Sequence, residues 1–270
     1  MNLNIGSFKE LFESINIRYG YDFTNYAEES LVRRSRLFMD NLKMNSLDAF
    51  ASLLLEDENT FEAFIKYISI TVTEMFRDPT FFYSIREKVI PRLATYPFVK
   101  VWIAGCATGE EAYSMAILLK ETDLLHRSII YATDINQKAL QIAKEGVYPI
   151  SKAQKYTSNY LKAGGEKAFS EYYTAKYDLT IFDKSLKNNI VFASHNLAVD
   201  ESFNEFQIVI CRNVLIYFNQ SLQNKVINLF YSSLCPFGFL GLGNKESLMF
   251  TNYKESFQTV DQAERIYLKK

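Results

Sequence analysis

The sequence predicts an α/β protein with a helical N-terminal domain, a parallel sheet crossed over by helices, and a small antiparallel insertion. Three observations carry this. Residues 1–70 keep apolar side chains at helical spacing and hold no strand pattern of comparable strength. A β-rich run at 98–104 stops at the loop Gly105-Cys106-Ala107-Thr108-Gly109, opens into a helix, and is followed by a second strand ending in an acid. The stretch 150–189 is polar, rich in tyrosine and broken into short alternating pieces.

In chain order, Phe8, Leu11, Phe12 and Ile15 mark a first helix, and Leu31, Val32, Ser35, Phe38 and Met39 a second. A third runs over 46–55, with Ser46 as N-cap and Asp48 favourably placed in its first turn. A fourth covers 61–70. Beyond the glycine loop a helix is predicted over 110–120, a strand over 128–134 and a helix over 137–145. Later strands are expected at 190–193, 206–211 and 239–243, with an amphipathic helix at 221–234. Within 150–189, the Gly164-Gly165 pair and the alternation at 177–182 read as an insertion with its own helix and antiparallel strands.

Composition narrows the function. Apolar residues make up 48% and charged residues 23%, enough to bury a core. The 30 basic and 31 acidic side chains nearly cancel, so no global field draws the chain to nucleic acid. Three widely spaced cysteines and two histidines, with no Cys-x-x-Cys, argue against disulfides and a metal site. No signal-peptide pattern opens the chain and no apolar run approaches the ~20 residues of a membrane span, so a cytoplasmic protein is expected, monomeric by default.

A strand that ends in glycines and opens a helix lets a ligand approach the backbone closely. Asp134, at the end of the next strand, stands where such sheets place an acid for ribose hydroxyls. The loop spacing is G-x-x-x-G, not the G-x-G-x-x-G of dinucleotide sites. Glu110-Glu111 follow where a phosphate loop needs Lys-Ser/Thr, and two carboxylates repel a pyrophosphate. They suit a ligand with cationic groups and a ribose, the character of S-adenosylmethionine.

These residues then become specific. Ala104-Gly105-Cys106-Ala107-Thr108-Gly109-Glu110-Glu111-Ala112-Tyr113-Ser114 resembles the A-G-C-S-T-G-E-E-P-Y-S segment of CheR-type chemotaxis receptor methyltransferases. Thr71-Val72-Thr73-Glu74-Met75-Phe76-Arg77 is similar to that family's T-x-F-F-R element. Ala132-Thr133-Asp134-Ile135 and His195-Asn196-Leu197 resemble its A-T-D-I and N-L-L segments. Residues 210–218, from Ile210 through Cys211-Arg212-Asn213 to Tyr217-Phe218, stand close to C-R-N-V-x-I-Y-F. The blocks follow family order over roughly 70–250. Met75 departs at a position usually Phe, Thr71 at one often Asn, and Gly243-Asn244-Lys245-Glu246-Ser247 replaces G-H-S-E, losing a histidine but keeping Glu246.

The resemblance implies a helical receptor-docking domain over 1–70, a segment closing over the site at 71–97, and a Rossmann-like methyltransferase domain over 98–270 with a β-subdomain inserted at 150–190. It implies transfer of a methyl group from S-adenosylmethionine to glutamate carboxylates of chemoreceptor cytoplasmic helices, leaving S-adenosylhomocysteine. Carried over by motif, Gly105, Glu111 and Asp134 bind the cofactor, Asn196 and Leu197 border its adenine, and Cys211 and Arg212 lie beneath it. Thr71, Thr73 and Arg77, in the segment that closes over the site, join the cofactor-binding residues. A carboxylate acceptor is ionised near neutrality, its reference pKa being about 4.3, and needs no general base. Arg77 and Tyr217 are the candidates for orienting it, by paired hydrogen bonds from a guanidinium and one from a phenol. Arg33, Arg34 and Arg36 form a basic stretch in an acidic domain, suited to acidic receptor helices; a solvated face with Glu29 pairing Arg33 is the plain alternative. A catalytically silent receptor-binding or cofactor-sensing module, and a carboxyl methyltransferase acting on another protein, are the competing functions.

Overall fold

A computed structural model describes residues 6–21, 23–24, 26–68 and 73–270. Residues 1–71 with 216–223 make one compact unit, and 72–215 with 224–270 a second.

The first unit is built from α1 (Phe8–Tyr19), α2 (Glu28–Asn41), α3 (Leu47–Glu56) and α4 (Glu58–Ile68). The Ser7 and Ser46 hydroxyls accept the backbone N–H of Glu10 and Ala49, so the cap expected at Ser46 forms. The apolar stripes converge on one core holding Leu11, Ile15, Leu31, Phe38, Phe50, Leu54 and Phe64. Phe50 and Phe64 meet edge-to-face at 5.7 Å, and Phe38 leans on both. The fourth helix begins at Glu58, earlier than the expected 61. Asp57 accounts for this: its carboxylate accepts the N–H of Asn59 and Thr60 at 3.2 and 3.1 Å. Thr71 and the expected end of that helix, 69–70, lie outside the described residues.

The second unit opens with α5 (Pro79–Ser84), a π-helical turn (Ile85–Val89) and α6 (Ile90–Leu93). Pro91 has no N–H for a regular helix, and the Ile90 N–H bonds Ile85 O, five residues back. Then follow β1 (Val99–Ala104), α7 (Glu110–Glu121), β2 (Ser128–Asp134), α8 (Gln137–Glu145), β3 (Val147–Pro149) and α9 (Ala153–Lys162). The chain continues through β4 (Tyr173–Lys176), β5 (Leu179–Phe182), α10 (Lys184–Lys187), β6 (Ile190–Ser194) and β7 (Phe206–Cys211). It closes with α11 (Gln220–Ser233), β8 (Leu234–Leu242), β9 (Phe257–Asp261) and β10 (Ile266–Lys269).

One sheet runs β6-β2-β1-β7-β8-β10-β9, with the first five strands parallel and β10 antiparallel to both its neighbours. This is the expected Rossmann-like sheet. The small antiparallel sheet, β3-β5-β4, is inserted between α8 and α10 and begins at Val147, slightly before the expected boundary. In α7, Ala112 through Leu119 are all buried. A helix apolar on every side needs cover on every side. The large sheet provides one cover; Tyr148, Tyr156, Tyr160 and Phe182 of the insertion join the same core.

Two further features departed from expectation. β8 starts at Leu234, not near 239, because its first half holds Pro236 and Gly238 and a Phe237 at φ 63°, residues that read as loop. Its register against β7 shifts between Phe206 and Ile208 to absorb them. The β9–β10 hairpin was not expected at all, being two short strands at the sheet edge. Among the described residues no helix is long and apolar enough to cross a membrane, and no cluster of ligating side chains could hold a metal.

Candidate functional site

After β1 the chain steps outward to β2 and β6; from β7 onward it steps the other way. The crevice above the carboxyl ends of β1 and β7 is where open α/β sheets bind ligands. The loop 105–109 lies there. Gly105 has φ 78° and Gly109 φ 93°; a Cβ on Gly105 would stand 2.4 Å from Val214 Cγ2, and one on Gly109 2.7 Å from Ala143 Cβ. Both positions thus exclude side chains by conformation and by space. The Gly105 and Cys106 N–H groups donate to Thr133 O at 2.8 and 2.9 Å, folding the loop over the end of β2.

Asp134 ends β2. Its Oδ2 accepts the Ala107 N–H and its Oδ1 the Asn136 N–H, each at 2.8 Å. These two bonds fix the carboxylate and leave each oxygen a second lone pair for a hydroxyl donor. Burial pushes its pKa above the usual aspartate value, and the backbone donors pull against that.

The two glutamates after the loop separate in role. Glu110 is fully buried and turns inward, accepting from Tyr156 Oη at 3.1 Å and the Thr108 hydroxyl at 2.5 Å, with Lys152 Nζ 3.5 Å away. Burial raises its pKa. Glu111 Oε2 instead accepts from Arg212 Nη1 at 2.7 Å. Arg212 Nη2 donates to Asp78 Oδ2 at 2.6 Å, and the guanidinium lies 4.2 Å over the Phe81 ring. Arg212, whose side chain is 1% exposed, therefore joins the first turn of α7 to the segment before α5.

That segment carries Thr73 and Arg77. Phe76 and Asp78, flanking Arg77, have φ 51° and 52°, a value that a bulky residue such as Phe76 keeps only when held. The holding contacts are the Phe76 N–H on Ser114 Oγ at 2.8 Å and Asn159 Nδ2 on Met75 O at 3.0 Å. Asp78 occupies the N-cap position of α5 without capping it; its carboxylate serves Arg212.

Beyond β6, His195 N donates to Asp134 O at 3.3 Å, and Asn196 Oδ1 accepts the Ala198 N–H at 3.0 Å, forming a turn around buried Leu197. His195 itself packs on Trp102 at 5.2 Å, with Nε2 3.1 Å from Glu201 O. Cys211 ends β7 fully buried, and burial pushes the Cys211 and Cys106 thiols up, away from nucleophilic thiolate character. Behind Arg212, buried Glu246 accepts four backbone N–H groups: Val214 and Leu215 on Oε1 at 2.8 and 2.7 Å, Asn213 and Gly243 on Oε2 at 3.0 and 2.6 Å. A cavity of about 370 Å³ opens beside Arg212, lined also by Asp78, Phe81, Leu242, Asn244 and Glu264.

Gly105, Glu111, Asp134, Cys211 and Arg212 thus gather around the ends of β1, β2 and β7. Thr71 falls outside the described residues. Tyr217 belongs to the helical unit, where its ring lies 4.4 Å from the Arg34 guanidinium and its carbonyl accepts the Ala27 N–H at 2.8 Å. Arg34 Nη1 also donates to Ile68 O at 2.6 Å, so this arginine is built into its own unit, whereas Arg33 and Arg36 are exposed. Sequence reasoning missed Asp78, Asn159 and the separate task of Glu110. Only the adjacency of Asp78 to Arg77 could have pointed to the first; nothing local marks the other two.

A glycine loop closed to side chains, with Glu111 and Asp134 beside it and no lysine in it, fits a ligand of hydroxyls and cationic groups and not a pyrophosphate. Residues 71–266 match the family model described as CheR methyltransferase, SAM binding domain, and residues 6–69 the CheR methyltransferase all-alpha domain. The chain is 48% identical over 96% of its length to the methyltransferase Cher3 of Pseudomonas putida, 95% of which is covered. It is 31% identical over 92% of its length to the chemotaxis protein methyltransferase of Borreliella burgdorferi, 91% of which is covered. Among solved structures, N-methyltransferase NodS of Bradyrhizobium japonicum with S-adenosyl-L-homocysteine aligns at TM-score 0.42 and 12% identity, over 73% of this chain and 88% of that one.

Proposed function

This chain belongs to the CheR methyltransferase family, with S-adenosylmethionine as its cofactor, and from that premise we propose that it methylates glutamate side chains of chemoreceptor cytoplasmic helices. The observation that carries the proposal is the Glu111–Arg212–Asp78 bridge beside Asp134 at the ends of β1, β2 and β7, within the stretch the family model matches. The relatives named chemotaxis protein methyltransferase support the choice of acceptor.

When bound, the cofactor would supply a methyl group on a sulfonium, whose carbon an ionised carboxylate oxygen attacks in line, the C–O bond forming as the C–S bond breaks and S-adenosylhomocysteine leaves. This chain's residues have four tasks. Asp134 accepts from ribose hydroxyls with the lone pairs its backbone donors leave over. Glu111, steadied by Arg212, faces the cationic amino-acid portion. Asn196 and Leu197 border the adenine. Arg77 meets the cofactor from its own segment and orients the acceptor carboxylate, and no proton has to move, which agrees with a His195 packed for structure and with buried, protonated thiols. Exclusion of water then strengthens the attraction of the two opposite charges that disappear in the reaction. The helical domain over 1–70 docks the receptor through Arg33 and Arg36, and residues 71–97 close the site.

The test is label transfer from methyl-labelled S-adenosylmethionine to a purified receptor cytoplasmic fragment, followed by mild alkali. Label released as methanol is expected, because carboxyl methyl esters are base-labile. Base-stable label would refute a carboxylate acceptor, and no label despite cofactor binding would favour a silent receptor-binding module.

A further inference from the structure

One face of α9 touches two neighbours of the cofactor site: the glutamate that follows the glycine loop and the segment that leads to Arg77. Tyr156, Asn159 and Tyr160 stand at i, i+3 and i+4 and so share that face, with Lys152 one turn before. Tyr156 and Lys152 meet Glu110, the residue that opens α7 directly after the glycine loop. Asn159, 3% exposed, donates to the carbonyl of Met75, two residues before Arg77. Tyr160 bonds Glu121, which ends α7 and also pairs with Arg86. From the neighbouring strand β3, Tyr148 Oη donates to Thr108 O at 2.7 Å.

The consequence is mechanical. Phe76 and Asp78 are held at positive φ, and such backbone persists only where surrounding contacts over-determine it. Among the hydrogen bonds that hold this segment, one comes from Ser114 of α7, one from Arg212 after β7 and one from α9 of the insertion. We infer that α9 is the positioning element of the cofactor site: Asn159 sets the segment that carries Arg77, and Tyr156 sets the glycine loop through Glu110. The small inserted sheet and the cofactor are thereby mechanically connected. Neither Asn159 nor Tyr156 touches the cofactor; each acts through another residue. The inference rests on the cofactor reading above and is independent of the acceptor.

The experiment is calorimetric titration of the full chain with S-adenosylhomocysteine, in a double-mutant cycle of Asn159→Ala with Arg77→Ala. Asn159→Ala should weaken binding about tenfold, the effect of one buried hydrogen bond lost, and should add less than about twofold in the Arg77→Ala background. Tyr156→Phe, acting through Glu110, should weaken binding about threefold equally in both backgrounds. Asn159→Leu, of similar volume, replaces the alanine variant if that one does not fold. Thermal unfolding separates the outcomes: a lower midpoint with unchanged affinity, or an equal loss from Asn159→Ala in both backgrounds, overturns the inference alone. Wild type that binds no S-adenosylhomocysteine overturns the cofactor reading and the inference with it.

Discussion

Glu246→Gln isolates the device that shapes the loop behind Arg212. The carboxylate divides its four backbone donors evenly, Val214 and Leu215 on one oxygen, Asn213 and Gly243 on the other. An amide keeps one oxygen and turns the other end into an NH2 group, which faces two N–H donors at 2.6–3.0 Å or at 2.7–2.8 Å, depending on its flip. Two hydrogen bonds are lost either way, and two donors are left unsatisfied in a site where Glu246 is only 4% exposed. At about 1–3 kcal/mol for each orphaned donor, the loss is about 2–6 kcal/mol. For a unit of this size that lowers the melting temperature by roughly 2–4 °C per kcal/mol, so a fall of about 4–24 °C is expected. Asn213, at φ 61°, should relax first and loosen Arg212 with it. Thermal unfolding by circular dichroism, with S-adenosylhomocysteine titrated in parallel, reads both effects. A midpoint within about 2 °C of wild type would refute the reasoning, because it would mean the loop's donors find other acceptors without cost.

Gly105→Ala should be severe for a small change: its Cβ would meet Val214 Cγ2 at 2.4 Å from a backbone at φ 78°, and a loss of about 2–4 kcal/mol in stability with weakened cofactor binding is expected in urea melts and calorimetry. The pH dependence of cofactor binding follows from Asp134, whose pKa burial raises above the usual aspartate value. The ionised form accepts ribose hydroxyls, so affinity for S-adenosylhomocysteine should be full above that raised pKa and fall as pH drops through it, while Asp134→Asn should bind weakly with a flatter profile over the same window. For folding the sign is opposite: a carboxyl with a raised folded pKa contributes stability that is present below the unfolded value and lost as pH rises through the folded one. Arg33→Glu with Arg36→Glu should slow methylation of a receptor fragment by about tenfold or more at low salt and less at high salt, leaving cofactor affinity within about twofold. An equal loss of cofactor affinity would remove these arginines from receptor docking.

Much of the cofactor side was legible because it is local. Strand, glycine loop, helix and terminal acid are consecutive in the chain, and positive φ at Gly105 and Gly109 is announced by the glycines themselves. The helical unit was legible for the same reason, since a stripe repeating at helical spacing is a property of one segment. The β9–β10 hairpin escaped because β10 is specified by pairing with β8 and β9 by pairing with β10, not by their own alternation. Reading Glu110 and Glu111 as a like-acting pair also failed. Adjacent helix positions point about 100° apart, so one carboxylate entered the core beneath α9 while the other met Arg212.

What the sequence determined by itself is therefore the set of segments and the character of the ligand: an acid after β2, a side-chain-free loop after β1, and carboxylates where a phosphate site needs a cation. These follow from residue type and short-range spacing, which do not depend on how the chain folds back. What only the tertiary structure decided is who holds whom. Arg212 lies 134 residues from Asp78 and 101 from Glu111, and Asn159 lies 84 from Met75. Hydrogen bonds of 2.6–3.0 Å between such distant residues exist only once the sheet order and the packing of α9 are set. No periodicity encodes them, because a hydrogen bond depends on separation in space and is indifferent to separation along the chain.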